Sequence, residues 1–102
     1  MKILMVCAGG MSSAMVIRAI EQEGVKQGLE MKVKAVGIYE FEDEIKNGWD
    51  VGLVAPQVRH CLANFQKAGN EANVPVIAMS PQCYTPLGGA RALAEAKAAA
   101  AK

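Results

Sequence analysis

The first fourteen residues constrain the fold more than any other part of this sequence. A short apolar run from Lys2 to Val6 leads directly into Cys7, and Gly9 and Gly10 follow before two serines open a helical segment. A strand that passes through a glycine loop into a helix leaves backbone N–H groups pointing into the loop, beside the positive end of the helix dipole. The sequence therefore predicts an anion-binding loop, and the same field favours the thiolate of Cys7 over its thiol.

The rest of the chain alternates between strand-like and helix-like segments. Such alternation predicts parallel strands joined by right-handed crossovers, with helices on both faces of one sheet. The predicted strands are Lys2–Val6, Met31–Ile38, Asp50–Ala55 and Val74–Met79. The predicted helices begin at Ser12 or Ser13, run over Glu40–Asn47, follow Pro56-Gln57, and run over Ala90–Ala101.

Two of these helices carry apolar stripes that should pack against the sheet. The spacing of apolar residues three and four positions apart predicts one helix face towards the core. In the first helix the stripe is Met15, Val16, Ala19 and Ile20, and in the third it is Val58, Cys61, Leu62 and Phe65.

Ligands of parallel sheets bind beyond the carboxyl ends of the strands. They bind at the point where the connections from two neighbouring strands leave in opposite directions. Cys7 lies at that edge, and later segments should join it there. These edge segments are Cys7–Ser13, Tyr39–Glu42, Ala55–Val58 and Ser80–Gly88.

Length and composition restrict the class of protein. The chain has 102 residues, of which 52% are hydrophobic, so one domain with one core is expected over residues 1–102. A net charge of +1 and the lack of a basic stripe argue against nucleic-acid binding. The three cysteines show neither zinc nor disulfide spacing, which fits a reducing cytoplasm. The apolar run Ile3–Val6 is too short for a signal peptide or a membrane span.

Several phosphate-binding enzymes begin with a similar loop. The glycine spacing fits neither a Walker A loop nor a dinucleotide fingerprint. Low-molecular-weight cysteine phosphatases carry an arginine six residues after the cysteine, where this chain has Ser13, and their Asp-Pro acid has no counterpart here. Backbone amides alone suit a protein that holds and passes on a phosphoryl group better than one that hydrolyses it. A phosphatase-like enzyme and a non-enzymatic anion-binding module stay open as alternatives.

The sequence resembles the lactose/cellobiose-type IIB components of the bacterial phosphotransferase system, a family that includes diacetylchitobiose proteins. The run from Cys7 to Ser13 is similar to the family's cysteine loop, and Asp50–Gln57 is similar to its segment ending in Pro-Gln. The spacing from Pro75 to Tyr84 also matches. This chain departs from the family at Ala55 and Thr85, where glycine is usual.

The resemblance implies a fold and a function. The fold is a three-layer α/β/α sandwich, flavodoxin-like or low-molecular-weight phosphatase-like, with four parallel strands in the order 2-1-3-4. A IIA protein would pass a phosphoryl group from its phosphohistidine to Cys7, and Cys7 would pass it to a sugar, disaccharide-like, bound by a membrane IIC transporter. No cofactor, metal or nucleic acid is implied, nor insertion into the membrane. The phosphate-binding residues would be Ala8, Gly9, Gly10, Met11, Ser12, Ser13 and Ala14, with Pro56, Gln57 and Tyr84 at the rim of the site.

Other polar or reactive residues have ordinary structural interpretations. Cys61 belongs to a helix stripe and is expected in the core, whereas His60 lies on a polar helix face and is expected in solvent. Cys83 falls on an edge loop. The acidic residues Glu40, Glu42, Asp43 and Glu44 are expected to form a solvated helix start, for which the dipole favours negative charge, with docking of a partner as the alternative.

Overall fold

A four-stranded parallel sheet with helices on both faces forms the molecule. The computed structural model describes residues 1–7, 12–79 and 88–100, without the side chains of Ser12 and Ser13. The strand order is β2-β1-β3-β4, which confirms the predicted order and architecture. The strands are β1 (Lys2–Val6), β2 (Lys32–Val36), β3 (Val51–Val54) and β4 (Val76–Ala78). The helices are α1 (Ser12–Lys26), α2 (Ile38–Glu44), α3 (Leu62–Glu71) and α4 (Gly89–Ala100), with a 3-10 helix over Pro56–Cys61.

The central strand β1 separates two apolar clusters. Successive side chains of a strand point to opposite faces, so Leu4 packs with α2 and α3 while Ile3 and Met5 pack with α1 and α4. Four of the five residues of β1 are buried. This burial on both faces confirms the interpretation of Lys2–Val6 as a doubly covered strand. The strand order makes β1 an inner strand, so its end lies between the ends of β2 and β3.

The boundary between β2 and α2 differs from the sequence prediction. The predicted strand ran to Ile38, but β2 ends at Val36, and Ile38 is the first residue of α2. Gly37 has an extended backbone, and its carbonyl accepts a hydrogen bond from the Glu40 N–H at 3.2 Å. The glycine therefore starts the helix at Ile38 instead of Glu40. The helix also ends earlier than predicted, at Glu44.

The third helical segment is divided. One continuous stripe from Val58 to Phe65 was predicted, but Val58 has non-helical backbone angles (φ −121°, ψ 18°) inside the 3-10 helix, and α3 begins only at Leu62. The change of helix type rotates the stripe, because a 3-10 helix has three residues per turn. Val58 and Phe65 are buried as expected, whereas Cys61 is only half-buried.

The apolar face of α1 is narrower than predicted. Val16 and Ile20 are buried, four residues apart, but Met15 is 60% exposed. Neighbouring residues of a helix are about 100° apart around its axis. Met15, next to the buried Val16, therefore lies outside the buried stripe. No helix within the described ranges has the length and apolar character that crossing a membrane requires.

Candidate functional site

Cys7 lies at the carboxyl end of the central strand, held between the ends of its two neighbours. Its backbone N–H donates to the carbonyl of Val36 at the end of β2, with an N···O distance of 3.1 Å. On the other side, the N–H of Ala55 donates to the carbonyl of Val6 at 2.9 Å. Three chain segments therefore converge at Cys7, as the edge of a parallel sheet requires at a ligand site.

The side chain of Cys7 breaks the alternation of β1. Val6 and Cys7 both belong to the cluster that packs against α2 and α3, although consecutive strand residues would face opposite sides. The neighbouring strand β3 also loses its alternation at its end, since Val54 and the following Ala55 both belong to this cluster. The thiol therefore lies on the α2–α3 side of the sheet edge.

The thiol of Cys7 is enclosed by protein. The residue is 4% exposed, and its Sγ lies 4.0 Å from the carbonyl oxygen of Val36, at the limit for a weak S–H···O contact. Cys61, by comparison, is half-buried. The carbonyl of Val36 thus faces both the N–H and the sulfur of Cys7, and the sequence pattern gave no sign of this double role.

The predicted phosphate loop is described only at its end. Ala8, Gly9, Gly10 and Met11 lie outside the described residues, as do the side chains of Ser12 and Ser13. The backbone of α1 begins at Ser12, five residues after Cys7, and Ala14 in its first turn is exposed. The first N–H groups of this 15-residue helix have no partners inside the helix. The roles assigned to the loop residues remain predictions.

Two of the three predicted rim residues are described. Pro56 is the first residue of the 3-10 helix and is half-buried, and Gln57 beside it is exposed. The hydrogen bond from Ala55 to Val6 brings both residues to the edge that carries Cys7. Tyr84 lies outside the described residues, and so does Cys83.

One aromatic residue at this edge received no role from the sequence. Tyr39 lies in the first turn of α2, two residues after Gly37, and is 96% exposed. Because the sequence prediction extended the second strand to Ile38, it placed Tyr39 before the helix and not in its first turn. The exposed Gln57 and His60, on the neighbouring 3-10 helix, agree with the predicted polar face.

The geometry suits covalent chemistry on sulfur. Of the two described cysteines, Cys7 lies at the sheet edge, directly after β1, and Cys61 is the last residue of the 3-10 helix. Helix N-termini and free amides stabilise a thiolate and a bound anion through the same field. Within residues 1–7, 12–79 and 88–100, no three His, Cys, Asp or Glu side chains form a metal-binding group.

Comparisons with known proteins agree on one family. The family model for the lactose/cellobiose-specific IIB subunit of the phosphotransferase system matches residues 2–95. The oligo-beta-mannoside-specific EIIB component of Bacillus subtilis (strain 168) is 25% identical over 95 residues, covering 93% of this chain and 91% of the relative.

Two solved structures share the fold. The lactose-specific IIB domain from Streptococcus pneumoniae superposes with a TM-score of 0.83 at 20% identity, covering 96% of this chain and 95% of the other. The cellobiose-specific IIB protein from Borrelia burgdorferi gives a TM-score of 0.75 at 26% identity, covering 97% and 90%. The first of these similarities establishes the fold alone.

Proposed function

Because this chain belongs to the lactose/cellobiose-specific IIB family of the phosphotransferase system, we propose that Cys7 carries the phosphoryl group. Members of the family act as phosphotransferases in sugar uptake, between a IIA protein and a membrane IIC component. In this chain the donor would be a phosphohistidine of IIA, and the acceptor a sugar bound by IIC. The residues of the loop from Ala8 to Ala14 would hold the phosphoryl oxygens.

One observation carries this proposal: Cys7 directly follows the inner strand β1, its N–H bonded to the carbonyl of Val36, and α1 begins five residues later. In this proposal the first N–H groups of α1 lie against the phosphoryl oxygens, because helix N-termini favour a dianionic group. No other nucleophile of the described residues follows a strand end in this way. Cys61 and His60 both lie in the 3-10 helix.

The transfer consists of two displacements at phosphorus. In the first, the Cys7 thiolate attacks the phosphohistidine of IIA, an S–P bond forms, the P–N bond breaks, and the imidazole leaves with the electron pair. In the second, a sugar hydroxyl attacks the phosphocysteine, an O–P bond forms, and the S–P bond breaks to regenerate the thiolate. The hydroxyl proton passes to a base of the sugar-binding partner. Amides that face the phosphoryl oxygens stabilise the charge in both steps.

The residue at position 13 favours a carrier over a phosphatase. Hydrolysis by cysteine phosphatases depends on an arginine that clamps the phosphoryl oxygens in two places. This chain has Ser13 there, so the intermediate should survive until an acceptor arrives.

We expect the sugar to be a disaccharide of the cellobiose or chitobiose type. The matching family is described as lactose/cellobiose-specific, and the relative in Bacillus subtilis as oligo-beta-mannoside-specific. Transfer to a sugar arriving through IIC would place the protein at the cytoplasmic side of the membrane. A panel of β-linked disaccharides, supplied with IIC vesicles and phosphorylated protein, would identify the acceptor.

The carrier residue can be tested by radioactive labelling. The protein is incubated with phosphoenolpyruvate, enzyme I, the phosphocarrier protein HPr and a matching IIA, and the labelled residue is mapped by mass spectrometry. We expect one phosphoryl group on Cys7. The Cys7→Ser variant should accept none, because a serine hydroxyl is a poor nucleophile unless a general base activates it, while the Cys61→Ser control should be labelled normally.

Three results would contradict this assignment in different ways. Label on His60, or label retained in Cys7→Ser, would move the carrier to another residue. Label on Cys7 that water removes within seconds, without IIC and sugar, would favour a phosphatase. Reversible phosphate binding without covalent label would indicate an anion-binding module.

A further inference from the structure

Helix α2 begins beside the thiol. The carbonyl of Val36 accepts the N–H of Cys7, and Gly37, the next residue, caps the N-terminus of α2. Tyr39 follows in the first turn, with its side chain almost completely in solvent. Any partner that reaches Cys7 from this side therefore meets α2 first.

The exposed face of α2 is strongly acidic. Four of its seven residues are Glu or Asp, and none is Lys or Arg, although the whole chain carries a net charge of +1. Glu44 is paired with Lys34 at 3.3 Å. In the described part of the chain the other three carboxylates have no ion pair, and all three are exposed. They are Glu40, Glu42 and Asp43.

A groove of about 380 Å³ lies between α2 and α3. Its floor includes Phe41 and Phe65, whose rings pack edge to face at 5.1 Å and belong to the same cluster as Cys7. The charged residues at its rim are Glu42, Glu71 and Lys67. The groove thus continues the acidic face of α2 and has room for side chains of a docking partner. We call this groove and the exposed residues of α2 together the α2 surface.

We propose that the α2 surface docks on Lys- and Arg-rich cytoplasmic segments of the IIC transporter. This inference rests on the proposed function, which requires IIC to approach Cys7. Membrane proteins concentrate Lys and Arg in their short cytoplasmic loops, so the cytoplasmic side of this partner offers basic side chains. The acidic α2 surface complements that charge, and Tyr39 supplies a large amphipathic contact of the kind enriched at interfaces.

The same charge excludes the lipid surface as the occupant. The cytoplasmic leaflet is negatively charged, and the unpaired carboxylates of α2 would be repelled by it. Docking on IIC would therefore bring the Cys7 edge to the transporter through protein contacts. The positive-inside rule does not apply to the IIA protein. If IIA used the α2 surface instead, the labelling of Cys7 by IIA would reveal it in the experiment below.

The experiment compares two variants with the same change in charge. The test variant is Glu40→Gln/Glu42→Gln/Asp43→Asn, and the control is Glu21→Gln/Glu23→Gln/Glu30→Gln, which removes three carboxylates around the far end of α1. A second pair compares Tyr39→Ala with Val25→Ala, another exposed apolar residue on α1. Each protein is sedimented with inverted vesicles from cells that overproduce a lactose/cellobiose-type IIC, and with vesicles that lack it.

We expect the α2 triple variant to bind IIC vesicles about tenfold more weakly than wild type at low salt, because exposed charges at an interface contribute modest, screened energies. Tyr39→Ala should also weaken binding, and both controls should bind normally. Wild-type binding should fall as salt rises from about 0.05 to 0.5 M, and the triple variant should lose most of that dependence. Labelling of Cys7 by IIA should be unchanged in all four variants.

Three results would overturn the proposal. The first is equal binding of the α2 and control variants to IIC vesicles, and the second is binding of wild type to vesicles without IIC. The third is loss of IIA-dependent labelling with normal IIC binding in the α2 triple variant, which would assign the α2 surface to the donor. Sedimentation does not depend on phosphorylation, so a failure to label Cys7 in wild type would count against the proposed function and leave the docking result readable.

Discussion

At the scale of single residues, the sequence predicted where Cys7 lies but not how its side chain is oriented. An apolar run ending in a cysteine and followed by glycines places that cysteine at the end of a strand, as observed. The double contact with Val36 could not be predicted, because it depends on the parallel pairing of β1 with β2. The break in alternation at Val6 and Cys7 is likewise a property of the strand end, where the pleat no longer governs the backbone.

The residue-scale prediction concerns Ser13, in the first turn of α1. Ser13→Asp should lower the rate of phosphoryl transfer to Cys7 by at least about tenfold, because a carboxylate would repel a dianionic phosphoryl group where the N-terminal amides attract it. The fold should be kept, since acidic residues stabilise the first turn of a helix. Transfer from IIA is measured with circular dichroism as a check on the fold.

The control for this experiment is Ser13→Asn, which has nearly the same shape as the aspartate variant and no charge. It should transfer phosphoryl at close to the wild-type rate. Normal transfer in Ser13→Asp would mean that the phosphoryl group does not lie at the start of α1.

At the scale of elements, periodicity predicted the existence and order of the strands and helices, and local backbone chemistry set their ends. Gly37 moved the start of α2 forward by two residues, and the non-helical Val58 split the third helix. Neither change alters the hydrophobic pattern by much, so a pattern-based interpretation could not detect them. The exposure of Met15 depends on how α1 is rotated about its axis relative to the sheet, and this rotation is determined by packing.

The element-scale prediction concerns the close approach of α1 and α4. A Cβ atom at Gly89, the first residue of α4, would lie 2.6 Å from the carbonyl oxygen of Ala19 in α1. Because a backbone oxygen cannot move aside without shifting the helix, Gly89→Ala should lower the free energy of unfolding by about 1–3 kcal/mol. Urea denaturation followed by circular dichroism measures the change.

A substitution on the exposed side of the same helix serves as the comparison. Ala94 is exposed, and Ala94→Ser should change the free energy of unfolding by no more than about 0.5 kcal/mol. Equal stability of Gly89→Ala and wild type would show that the two helices do not pack as closely as the structure indicates.

At the scale of the whole molecule, the alternation of elements predicted a parallel sheet, and the family resemblance supplied its order. Alternation alone permits several strand orders, because each crossover can run to either side of the preceding strand. The observed order β2-β1-β3-β4 makes β1 central, so that its end meets the ends of both neighbours. The two apolar clusters then follow from side-chain alternation along β1 and β3.

The prediction at this scale is that the chain unfolds as one domain. Both clusters share the sheet, and the two helix layers cannot separate without exposing β1 and β3. Calorimetry should therefore show one cooperative transition, with a heat-capacity change of about 1.2–1.5 kcal/mol/K for a chain of this size. Two resolved transitions, or a van't Hoff enthalpy well below the calorimetric one, would indicate that the layers unfold separately.

The central claim is that Cys7 passes its phosphoryl group to a sugar through IIC. The most direct measurement is a single turnover: the protein is phosphorylated with labelled phosphate, freed from IIA, and mixed with IIC vesicles and a β-linked disaccharide. We predict that each labelled protein yields one labelled sugar phosphate while the label disappears from Cys7, and that little inorganic phosphate appears. Release of the label as inorganic phosphate, or its retention on the protein in the presence of every disaccharide offered, would contradict the account.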